Sequence, residues 1–117
     1  MIEEKARDLG RLLGQSKEYQ ELKRANDALR DDTAAVAILR QMEQLRGQAQ
    51  EMIQRGERPT PEMERQLDEL LQQVQVQTAY QRLISAQENF DKIMSRVNEW
   101  ILDGMDKGAA SPIIMLG

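Results

Sequence analysis

Apolar side chains recur along this chain at intervals of three and four, the period of a helix face turned toward a neighbour. The clearest run is Ala35, Ile38, Met42, Leu45, Ala49 and Met52, whose spacing is that of a heptad seam. Met63, Leu67, Leu70 and Val74 repeat the rhythm, and so do Tyr80, Leu83, Gln87, Phe90, Met94, Val97 and Ile101. Nearer the start, Ile2, Ala6, Leu9, Leu12 and Leu13 share one helix face, and Tyr19, Leu22, Ala25 and Leu29 share another. The pattern predicts five helices. The first covers about residues 2 to 14, the third runs to about Arg55, and the fifth ends near Asp103 after about 40 Å of helix. The step from Val74 to Tyr80 fits neither phase, which places a break in "QVQVQT".

The residues between these runs suit helix ends. Ser16 is an expected N-cap, since its hydroxyl can accept from a free amide of the second helix. Asp31 and Asp32 offer the next cap, and Thr78 a later one. In "QRGERPTPEM", Gly56 suits the left-handed position that follows a helix. Pro59 cannot continue the helix, Thr60 caps the next one, and Pro61 takes its first position, where no amide is needed. Glu62 and Glu64 in the first turn complement the helix dipole. Every residue of this stretch has a structural reason, so it reads as a bend between two long helices. Gly104 and Gly108 are expected to end the fifth helix. The reading is one all-helical domain over 1–104 and a flexible tail over 105–117. The tail's apolar end (Ile113, Ile114, Met115, Leu116) reads as a loosely ordered terminus, with a short docking segment as the alternative.

The fold class that follows is all-α: an elongated helical bundle built on a long hairpin plus a long C-terminal helix. Helix five carries more than a seam, because Ala79, Ala86, Ile93 and Trp100 flank its a/d line on one side and Ile84 on the other. A stripe that wide needs more than one facing helix. The expected arrangement is a three-helix layer of the hairpin with helix five alongside, partly covered by helices one and two. Apolar area left over is expected to close on a second copy across a two-fold axis. The residues expected in the core or that interface are Ala35, Ile38, Met42, Leu45, Ala49, Met52, Leu67, Leu70, Tyr80, Leu83, Phe90, Met94, Val97, Trp100 and Ile101. Met42, Met52, Met63 and Met94 read as packing residues of these seams rather than as an adaptable binding stripe.

Composition agrees with helices: aromatic residues are only 3% of the 117 residues, and helix formers abound. With no Cys and no His, the chain supplies no disulfide, thiolate metal site or imidazole base. The di-iron bundle pattern needs Glu-x-x-His and is absent. No phosphate-binding Gly loop is present. Adjacent acids such as Glu3–Glu4 diverge on a helix and serve its dipole. No cofactor and no catalytic or metal residue is assigned, and the expectation is a protein that is not an enzyme.

Sixteen basic and 20 acidic residues give a net charge of −4. Around the bend Arg55, Arg58 and Arg65 interleave with Glu51, Glu57, Glu62 and Glu64, and the basic residues of the first two helices are likewise matched by acids. Phosphate affinity needs unmatched positive charge, so direct nucleic-acid contact is not expected. No apolar run is long enough to span a membrane, and the acidic N-terminus lacks a signal peptide's apolar stretch. The expected location is the cytoplasm.

The segments "ARDLGRLL" and "SKEY", the Ala-rich third helix and "AYQRLISAQENFDKIMSRVNEWI" resemble the YlbF/YmcA family over roughly residues 2 to 103. Length and the lack of Cys make the chain most similar to the YheA-like branch. The resemblance implies an all-α fold and helical homodimers. It implies a small adaptor role in bacterial development, competence or biofilm formation, within a complex that influences RNase Y and RNA maturation. Members of that complex hold iron–sulfur clusters on Cys residues, a role this chain cannot take. The reading is a non-enzymatic helical adaptor that pairs with itself and with a protein partner. The alternatives are direct RNA binding, or a small all-α enzyme of the chorismate mutase type, whose Arg and Asp opening pattern is not evident here.

Overall fold

The computed structural model describes the backbone of residues 1–116 and the side chains of residues 1–110. Five helices follow in order: α1 Ile2–Gln15, α2 Lys17–Asp31, α3 Thr33–Gln54, α4 Pro61–Gln75 and α5 Thr78–Leu116.

Single residues separate the first three. Ser16 sits in extended backbone; its hydroxyl accepts from the Tyr19 amide at 3.2 Å and donates to the Leu13 carbonyl at 2.6 Å. It therefore closes α1 and opens α2. Asp32 repeats the move, its carboxylate accepting from the Ala35 amide at 3.0 Å while its own amide donates to the Leu29 carbonyl. The bend after α3 is a Schellman motif: the Glu57 amide donates to Met52 at 2.8 Å and the Gly56 amide to Ile53 at 3.0 Å, with Gly56 at φ 81°. The Thr60 hydroxyl then accepts from the Met63 amide, and Pro61 starts α4.

Two expectations about α5 are corrected. Thr78 does not cap it; the Gln77 carbonyl accepts the first helical bond, from Gln81, and Thr78 is already helical. The Gln81 side chain reaches back to the Gln75 carbonyl at 2.8 Å, just as Gln20 reaches back to Gly14 at 2.7 Å, so two junctions are closed by the same device. Gly104 and Gly108 do not end α5, which runs through both. Each costs about 1 kcal/mol relative to Ala, too little to break a helix supported by Leu102, Met105, Lys107 and Ala109. The apolar tail side chains from Ile113 to Leu116 lie outside the described residues.

Packing is also divided differently from the expected layer. α3 and α4 form one antiparallel pair and α2 with α5 forms another; α4 meets α5 only near their shared junction. The hairpin core is Met42, Leu70 and Val74, with Ile38, Leu39, Leu45, Leu67, Leu71 and Tyr80 against it. The second core is Leu22, Ala25 and Ala86, with Leu83 and Phe90. The Tyr19 and Phe90 rings meet there at 5.7 Å between centroids. The two cores share no residue, so α5 lies on α2 and not along the hairpin.

The molecule is long and thin, 66 × 38 × 20 Å, with a radius of gyration of 21.3 Å. A compact chain of this length would have about 13 Å. Its surface is 9483 Å², whereas a compact protein of this mass exposes about 6,500 Å². Roughly 3,000 Å² is therefore left uncovered that a compact fold would bury.

Candidate functional site

Because the cores are small, several large apolar side chains stay on the surface. α1 buries no residue, although Ile2, Leu9, Leu12 and Leu13 share its apolar side; Leu12 is 65% exposed. α1 packs mainly on α2. In the antiparallel α2–α5 pair, the N-terminal end of α2 meets α5 near Lys92–Arg96. Beyond Val97, which is buried, α5 projects past its neighbour and its stripe continues uncovered. Trp100 is 64% exposed, and Ile101, Leu102 and Met105 are exposed with it.

The residues expected in the core or at an interface divide accordingly. Ala35, Met42, Leu70 and Val97 are buried. Ile38, Leu45, Leu67, Tyr80, Leu83 and Phe90 are partly buried against the two cores. Ala49, Met52 and Met94 are also half-covered. Trp100 and Ile101 belong to neither core. The structure thus brings the hairpin residues together and leaves the distal α5 residues facing outward.

Two grooves escape the sequence pattern. One lies between α3 and α4, where Gln41, Gln44, Gln48, Gln66 and Gln73 surround Leu45 and Leu70, with Glu69 the only charge. The three-and-four spacing of Gln41, Gln44 and Gln48 is a usable signal for it. The other runs along the α2–α5 seam: Lys17, Arg24, Arg82, Lys92 and Arg96 line it with Glu18 and Glu21. Five cations against two acids make this strip positive on an acidic protein. The helices that build it are distant in sequence, so pairing each basic residue with nearby acids conceals it.

Among the described residues no polar or charged side chain is buried, and no cluster of three carboxylates is placed to hold a metal ion. A dicarboxylate site of the chorismate mutase type needs cations turned into the bundle, whereas here they stand on an exposed seam. The ion pairs, such as Arg7–Glu3 and Lys107–Asp103, are exposed contacts within single helices. Among the described residues no helix is long and apolar enough to cross a membrane.

Comparison with known proteins decides the family. The family model described as "Control of competence regulator ComK, YlbF/YmcA" matches residues 2–106. The chain belongs to the YlbF/YmcA family. A UPF0342 protein of Leuconostoc mesenteroides is 22% identical over 98 residues, covering 84% of each chain. One of Limosilactobacillus reuteri is 26% identical over 100 residues, covering 86% of this chain and 81% of its own. The crystal structure of Bacillus subtilis RicA in complex with RicF superposes with a TM-score of 0.73 at 19% identity, over 86% of this chain and 89% of that one. At that identity the match establishes a shared helical fold. This YlbF/YmcA protein thus has the fold of a chain solved in complex with another protein.

Proposed function

We propose that this YlbF/YmcA protein is a non-enzymatic cytoplasmic adaptor, a homodimer that presents helix faces to a protein partner. The observation that carries the reading is the roughly 3,000 Å² of excess surface, together with the uncovered apolar sides of α1 and distal α5. An obligate dimer buries about 1,000–2,500 Å² of each chain, so the excess on one chain is more than enough to supply such an interface. The domain is residues 1–104, a reading the family match over 2–106 supports. The regulatory role follows the family's description, control of the competence regulator ComK, and the heteromeric habit follows RicA, solved with RicF. The test is to mix the purified chain with another YlbF/YmcA protein of the same organism and follow both by light scattering. Stoichiometric association, or a stable homodimer of this chain, is expected. Two independent monomers would overturn the reading.

The positive strip along α2 and α5 favours one other reading, direct contact with RNA through Lys17, Arg24, Arg82, Lys92 and Arg96. Filter binding with mixed-sequence RNA decides it. Tight binding that weakens steeply from low to moderate salt, and is lost in Lys92→Glu/Arg96→Glu, would favour RNA over a protein partner.

A further inference from the structure

We infer that distal α5 pairs antiparallel with α5 of a second copy, centred on Gly104; this rests on the homodimer proposed above and assigns its surface. At 3.6 residues per turn, Trp100, Gly104, Val97, Gly108, Ile101 and Met105 fall within about 140° of the helix circumference. They continue the stripe that begins at Ala86 and Phe90, where α2 covers it. Past Val97 nothing among the described residues does: Trp100, Ile101 and Met105 are each about half exposed or more. Glu99, Asp103, Asp106 and Lys107 occupy a separate arc, and Lys107 pairs with Asp103 on its own helix at 2.9 Å. The apolar face therefore carries no charge, and two identical copies of it meet without repulsion.

The two glycines say how closely. Gly104 and Gly108 lie mid-helix on this stripe with ordinary helical backbone, and a Cβ at either would meet open space. Nothing among the described residues requires glycine there, and an exposed helix favours Ala. A second helix backbone approaching the stripe does require it, because small residues let helix axes come together. In an antiparallel pair centred on Gly104, Trp100 of each copy falls opposite Gly108 of the other, so the largest side chain of the stripe meets its smallest. Large-against-small complementarity of a patch with itself is what a two-fold interface needs. A second copy is the occupant for that reason and for the area: the uncovered surface of one chain is large enough to supply its half of an obligate interface.

The experiment uses the full chain and its single tryptophan, Trp100. Acrylamide quenching of Trp100 emission and the dimer dissociation constant are measured for the wild type and for Gly104→Ala/Gly108→Ala. In the wild-type dimer Trp100 is expected to be shielded and to become accessible on dilution. In the variant the dissociation constant is expected to rise at least ten-fold, while the thermal midpoint of the dilute monomer is unchanged or higher. A dimer whose Trp100 stays fully accessible, or whose affinity the two alanines do not change, would overturn this surface and leave the homodimer standing. A monomer at every concentration would overturn both.

Discussion

Ser16 holds α1 and α2 to each other with one hydroxyl, which both accepts from Tyr19 and donates to Leu13. Ser16→Ala should destabilise the protein by about 1 kcal/mol, measured by urea unfolding with circular dichroism. No change would mean that Gln20, reaching back to Gly14, closes the junction alone. The glycines differ in backbone rather than in space, since around each of those described there is room for a methyl group. Gly56 is left-handed, so Gly56→Ala should cost about 1–2 kcal/mol. Gly47 is helical within α3, so Gly47→Ala should stabilise by up to about 1 kcal/mol. The same assay reads both, and equal effects of the two substitutions would contradict the assignment.

At the scale of elements, two helix pairs stabilise the chain through separate cores. Met42, only 3% exposed, is central to the hairpin. Met42→Ala should destabilise by about 2–4 kcal/mol through lost burial and a residual cavity. Leu22→Ala acts in the other core, and the double variant should match the sum of the singles to within about 0.5 kcal/mol. A larger discrepancy in urea unfolding would show that α5 couples the cores. The helices themselves are legible in the sequence because three-and-four spacing and caps such as Ser16, Thr60 and Pro61 act locally. The pairing of helices is not. Periodicity says that Phe90 and Leu83 face a neighbour, but Leu22 and Ala25 of α2 are as apolar as the α3 seam, and only the junction geometry chooses between them. Gly104 and Gly108 read as a helix end because local propensity takes no account of a long helix carrying two isolated penalties. The seam residues of the hairpin are readable for the same local reason as its helices, whereas the cationic strip depends on which helices meet and is hidden with that choice.

For the molecule as a whole, shape carries the functional argument. A chain with two thin cores and a helix projecting past its neighbour presents surface that an isolated domain of this size does not leave open. The chain belongs to the YlbF/YmcA family and shares the helical fold of the RicA–RicF crystal structure. Closure of the α1 and α5 faces on a second copy is the central claim. The most direct measurement is mass in solution, by light scattering coupled to size exclusion across a dilution series. The expected result is twice the 13.5 kDa chain mass at high concentration, falling toward the chain mass only at the dilution where Trp100 becomes accessible. A clean monomer at high concentration would contradict it.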